Sequence, residues 1–122
     1  MPNRNRGVLV IDHDATIRGA IARKLIGEGV DADVAPTVSD AIRLLDQSKY
    51  EVVILDWQLP DGDGGRVLSH LRSSAVTRPE RIMVLTGESS VPRGVDRSLV
   101  KGVLFKPVDL TGVTAHIRAL LS

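Results

Sequence analysis

The sequence contains no cysteine. A disulfide scaffold, a thiolate zinc site and a cysteine nucleophile are therefore excluded. Aromatic residues are nearly absent: Tyr50, Trp57 and Phe105 are the only three. That is too few for the stacking platforms that hold single-stranded nucleic acid. Charge of one sign is not in excess, with 16 Lys and Arg against 15 Asp and Glu and a formal net charge of +1. Such a balance gives no strong field for a nucleic acid or a membrane surface. No apolar run approaches the roughly 18 residues of a membrane span. The short apolar run before Asp12 is not the core of a signal peptide. A cytoplasmic domain without direct nucleic-acid or membrane contact is expected.

What is present is an ordinary globular composition, 43% hydrophobic and 25% charged. A chain of 122 residues suits one domain with one buried core. Residues 1–6 are polar and are expected to form a flexible N-terminus, leaving 7–122 as the domain. Val8-Leu9-Val10-Ile11 is a continuous apolar run, the pattern of a strand buried on both faces. From Thr16 the period changes, and Ile17, Ala20, Ile21 and Leu25 share a helical face, with Gly27 and Gly29 as stop signals. Ala32–Ala35 reads as a weaker strand near an edge, and Thr37 or Ser39 can cap a second helix striped by Val38, Ala41, Ile42 and Leu45. Val52–Leu55 is the clearest strand. A Pro- and Gly-rich loop is expected from Leu59 to Gly65, then a helix carrying Val67, Leu68 and Leu71. Arg81–Leu85 and Val103–Phe105 read as the fourth and fifth strands, and Leu110, Val113, Ile117, Leu120 and Leu121 stripe a last helix. Between those two strands, Glu88–Lys101 carries Pro92, Gly94 and a poor stripe, so any helix there is short. Five strands alternating with about five helices predict an α/β fold, one doubly wound parallel sheet with helices on both faces.

In such sheets function collects at the carboxyl ends of the strands. The first strand delivers Asp12, His13 and Asp14, the third Asp56, the fourth Thr86 and the fifth Lys106. Any one of these can simply begin a loop or cap a helix. Together they place carboxylates, a hydroxyl and an ammonium on one rim. Crowded carboxylates repel and call for a lysine or a divalent cation. Hard oxygen ligands with open positions suit Mg²⁺.

The segment Ile54-Leu55-Asp56-Trp57-Gln58-Leu59-Pro60-Asp61-Gly62-Asp63-Gly64, with Thr86 following and Lys106-Pro107 closing the fifth strand, resembles the receiver domain of bacterial two-component response regulators. The likeness runs over about residues 7 to 121. It implies a flavodoxin-like strand order of 2-1-3-4-5. It also implies a phosphorylation-dependent signalling domain rather than a conventional enzyme. Asp56 would accept a phosphoryl group from a histidine kinase or phosphotransfer protein, with Thr86 and Lys106 assisting. Mg²⁺ would be bound by Asp12, Asp56 and the backbone carbonyl of Gln58. The Lys106-Pro107 bond becomes a candidate for the cis form. The output, an unknown partner or a fused domain, is not specified; the chain's end after the last helix permits a single-domain regulator or part of a longer one.

Three positions depart from that pattern. The second acid expected after the first strand is His13 here, and an imidazole is a poor Mg²⁺ ligand. Weakened Mg²⁺ binding is expected, unless Asp14 fills the position. The aromatic residue expected three places before the lysine is Val103, which is short and stiff at χ1. The stretch from Thr86 to Lys106 is shorter than usual and contains Pro92. These departures support an alternative, a degenerate receiver that binds partners without phosphorylation. Asp61-Gly62-Asp63-Gly64-Gly65 lacks the later acids of a calcium loop and the Gly-Lys-Ser/Thr of a P-loop. His70 and His116 read as ordinary surface or boundary histidines.

Overall fold

The computed structural model of the chain describes residues 7–74, 79 and 81–121. The expected flexible N-terminus, residues 1–6, lies outside the described residues. The elements are β1 (Val8–Ile11), α1 (Ala15–Gly27), β2 (Ala32–Ala35), α2 (Val38–Gln47), β3 (Val52–Asp56), β4 (Gln58–Leu59), β5 (Gly62–Asp63), α3 (Gly64–Arg72), β6 (Arg81–Thr86), β7 (Val100–Phe105) and α4 (Leu110–Leu121).

Five strands form one parallel sheet in the order β2-β1-β3-β6-β7. This is the expected 2-1-3-4-5 order once the two short strands β4 and β5 are set aside. Alternate side chains of a strand face opposite ways, and the core divides accordingly. Leu9, Ile11, Val53, Leu55, Ile82 and Val84 pack under α2 and α3, against Val38, Ala41, Leu45, Val67, Leu68 and Leu71. Val8, Val10, Val52, Ile54, Met83 and Leu85 pack under α1 and α4, against Ile21, Leu25, Val113 and Ile117. β1 and β3 lie inside the sheet and are buried throughout, which accounts for their unbroken apolar runs. β2 is the partly exposed edge strand that its weak pattern predicted.

Three expectations need correction. The segment expected as a loop from Leu59 to Gly65 contains a small antiparallel hairpin, pairing Gln58 with Asp63 and Leu59 with Gly62, and α3 already begins at Gly64. Two-residue strands carry no periodicity to read. Between β6 and β7 the described residues form bends and turns without a helix, so four helices are described rather than about five. Pro92 cannot donate a helical hydrogen bond, and Gly94 adopts φ +91°. Finally, β7 starts at Val100 rather than Val103. Exposed Lys101 and half-buried Gly102 interrupt its apolar run, and a register shift between Ile82 and Met83 marks the irregular pairing there.

Candidate functional site at the strand-end rim

The ladder continues just past the strands and fixes the rim. Asp12 N–H donates to the Ala35 carbonyl (3.1 Å), Trp57 N–H to Leu85 (2.8 Å) and Lys106 N–H to Thr86 (2.7 Å). Asp12 is fully buried and Asp56 nearly so, at 2% exposure. Lys106 Nζ stands 3.4 Å from Asp12 Oδ2 and 3.2 Å from Asp56 Oδ1, so one ammonium serves both acids. Asp56 Oδ1 also accepts the Gln58 amide N–H at 3.3 Å.

His13 Nδ1 lies 2.7 Å from Asp56 Oδ2 and 3.8 Å from Asp12 Oδ1. With its proton on Nδ1 the ring donates to the Asp56 carboxylate. Asp14 turns away. Its carboxylate accepts the N–H groups of Thr16 (2.9 Å) and Ile17 (3.3 Å) and so caps α1. His13 thus lies in the cluster with Asp12 and Asp56, while Asp14 is held by the helix terminus. Asp12 Oδ1 accepts the Asp14 N–H at 2.9 Å, and the Asp12 carbonyl accepts Arg18 Nη1 at 2.9 Å. Nothing in the spacing of Arg18 signalled that contact. Asp12 Oδ2 is buried and accepts no hydrogen bond among the described residues. Burial pushes the Asp12 carboxyl up from its ordinary value. The Asp14 amide and Lys106 pull it down, while the Asp56 charge adds to the rise.

Thr86 is fully buried at the end of β6, beside β3, and its Oγ1 accepts the Glu88 N–H at 3.1 Å. The Lys106-Pro107 bond is cis. Val103 is half-buried against the α2–α3 side of the core. Trp57 is buried beside the site, pressed on Gly64. The carboxylates of the glycine-rich segment have structural partners: Asp61 accepts the Val38 N–H (2.8 Å) and Ser39 N–H (3.1 Å) of α2, and Asp63 caps α3. His70 Nε2 pairs with Asp46 at 2.7 Å, and His116 is exposed on α4.

Two carboxylates with an oxygen lacking a donor suit a hard divalent cation; the imidazole adds a nitrogen that Mg²⁺ does not favour. Asp12, His13 and Asp56 form a cluster that could hold a metal ion.

The model of the response regulator receiver domain matches residues 8–118. The chain belongs to this family. Among curated relatives, the transcriptional regulatory protein PmrA of Pectobacterium parmentieri is 33% identical over 116 residues, covering 93% of this chain and 51% of that protein. The phosphate regulon regulator PhoB of Escherichia coli K12 is 27% identical over 123 residues, covering 95% and 52%. The receiver thus spans about half the length of the curated relatives it matches. A solved receiver domain of a Francisella response regulator superposes with TM-score 0.81 at 28% identity, covering 95% of this chain and 96% of that one. The chemotaxis regulator CheY4 of Vibrio cholerae gives TM-score 0.84 at 20% identity, covering 96% and 99%, a likeness of fold. As a receiver domain, this chain is a signalling module of two-component systems. None of its described helices is long and apolar enough to cross a membrane.

Proposed function

We propose that Asp56 is a phospho-acceptor. An oxygen of its carboxylate bonds to phosphorus while the bond from phosphorus to a histidine nitrogen of a kinase or phosphotransfer protein breaks. The electron pair returns to that imidazole, which takes up a proton. Phosphoryl transfer needs little covalent machinery beyond positioning and charge neutralisation. The observation that carries this reading is the shared ammonium of Lys106, 3.2 Å from Asp56 and 3.4 Å from Asp12, just past the edge strand β7. It is placed to neutralise an arriving phosphoryl group as a point charge. The Thr86 hydroxyl already accepts from Glu88 and can turn its hydrogen toward a phosphoryl oxygen. Asp12, Asp56 and the main-chain carbonyl of Gln58 are the residues that would hold Mg²⁺, whose charge would offset that of the phosphoryl oxygens. The added charge, about −1.5 to −2, changes affinity for an output partner or fused domain.

A second reading, a receiver that binds partners without phosphorylation, is favoured by one contact. His13 Nδ1 at 2.7 Å occupies Asp56 Oδ2, which has to be free for a ligand or a phosphoryl group. Incubation with acetyl phosphate or phosphoramidate and Mg²⁺, read by intact mass, separates the two. We expect one phosphate on the wild type and none on Asp56→Asn. A wild type that gains none from either donor establishes the phosphorylation-independent module.

A further inference from the structure

His13 is the residue at the rim that the pattern of the family does not supply. Asp12, His13 and Asp56 offer three ligand atoms within 4.8 Å of one another. The imidazole nitrogen is 2.7 Å from one Asp56 oxygen and 3.8 Å from one Asp12 oxygen. Ligands about 2.1 Å from a common ion stand roughly 3 to 3.4 Å apart. The two imidazole–carboxylate separations bracket that range and all three atoms lie within 4.8 Å, so side-chain rotations can bring them to a common ion.

A second observation points to a cation. Asp12 is 0% exposed, and its Oδ2 accepts no hydrogen bond among the described residues. Lys106 Nζ, 3.4 Å away, is beyond the roughly 2.7–2.9 Å of a charge-assisted hydrogen bond. Lys106 thus meets this oxygen as an ion pair and not as a hydrogen-bond donor, which leaves its lone pairs open to a second cation.

The chemistry of the set decides which charge. Two carboxylates and one imidazole are a mixed oxygen–nitrogen donor set. Magnesium binds through charge and hard oxygen, and it parts with its waters reluctantly. A carboxylate at position 13 would add a negative charge and an oxygen; the imidazole of His13 adds neither. Nitrogen ligation suits borderline ions such as Zn²⁺ and Co²⁺. The His13 side chain is 49% exposed, so it faces the solvent from which an ion arrives. We infer that the Asp12–His13–Asp56 rim selects a borderline divalent transition ion of the zinc and cobalt class over Mg²⁺, with His13 as the ligand that sets the preference. The inference rests on the reading above that this rim binds a divalent cation, and it does not depend on phosphorylation.

Mixed donor sites generally bind zinc more tightly than magnesium, so the informative quantity is the change in preference when His13 is replaced. The experiment is a Co²⁺ titration followed by visible absorption, with competition by Zn²⁺ and by Mg²⁺. It is run in a background carrying His70→Ala and His116→Ala, so that the Asp46–His70 pair cannot take the ion. We expect Zn²⁺ to displace Co²⁺ and to bind at least about 100-fold more tightly than Mg²⁺. His13→Asp should narrow the zinc-to-magnesium ratio by about tenfold or more and alter the cobalt band. His13→Ala should lose the band, and Asp56→Asn should weaken all three ions. An unchanged ratio in His13→Asp, or a cobalt band that survives His13→Ala, overturns the inference. The phosphorylation assay is read separately. A wild type labelled in Mg²⁺ with an unchanged ratio overturns only the selectivity. A His13-dependent cobalt band in a protein that no donor labels overturns only the phospho-acceptor reading.

Discussion

At the scale of single residues, the rim places function where stability alone would not. Asp12 is a fully buried acid whose carboxyl is pushed up chiefly by its own burial. An acid with a raised folded-state pKa opposes folding as it ionises, so its cost appears as pH rises through the raised value and is absent in acid. Asp12→Asn should therefore stabilise the metal-free protein at neutral pH by about 1 kcal/mol. The gain in thermal midpoint should vanish on acidification below the ordinary carboxylate value. A midpoint that falls at pH 7 would show that the Lys106 ion pair outweighs burial. Gly64 is a second case. A Cβ there would come 2.7 Å from Trp57 Cε3 and 3.2 Å from Leu55 Cδ2. Gly64→Ala must move the indole, and a loss of about 1–3 kcal/mol is expected, with a changed Trp57 emission. The candidates Asp12, Asp56, Thr86 and Lys106 were legible because each ends an apolar run with a polar residue that a core does not select. The contact of His13 with Asp56 was not legible, because it depends on a rotamer in a loop. Arg18 on the Asp12 carbonyl was equally silent, being a match of length between a helix side chain and a distant oxygen.

At the scale of elements, two acids fasten segments that carry little core of their own. Asp61 holds the first amides of α2, and those bonds draw its carboxyl below the ordinary value of 3.8. Asp96 ties the irregular stretch between β6 and β7 to Arg72 of α3 and to Ser98, and its carboxyl falls to about 2. Each has a folded-state pKa below its unfolded one. The stabilisation is thus complete above the unfolded value and is lost as pH falls through the folded one. Thermal midpoints between pH 5 and pH 2 should decline less steeply in Asp61→Asn and Asp96→Asn than in wild type, from lower starting values at pH 5. Parallel declines would remove these two acids from the account. Asp96→Ala should also speed amide exchange across 87–99 while leaving β3 unchanged. The strands and the four described helices were legible in hydrophobic period. The hairpin β4–β5 and the early start of β7 were not, since the first is too short to show a period and in the second an exposed lysine and a glycine separate Val100 from the apolar run.

At the scale of the whole molecule, any output of phosphorylation needs two arrangements of similar energy that the added charge favours unequally. Val103, short and half-buried, offers no ring to exchange between inside and outside. The stretch between β6 and β7 has no helix among its described residues and follows directly from Thr86. Bound phosphate mimic should change amide exchange most across 87–99 and least at Val103. A rearrangement centred on Val103 would contradict this.

The strand order has a mechanical consequence. Asp12 follows β1 and Asp56 ends β3, strands with neighbours on both sides, whereas Lys106 follows β7 at the sheet's margin. The two like charges are thus bolted to the frame and their counter-charge hangs on a hinged panel. Marginal strands open before central ones. Detachment of β7 alone would leave two carboxylates facing each other with no lysine between them, in a molecule that is otherwise intact. Rising denaturant should then extinguish Asp56 labelling while the Trp57 signal is still native, so that the site fails as a circuit before the scaffold fails as a solid.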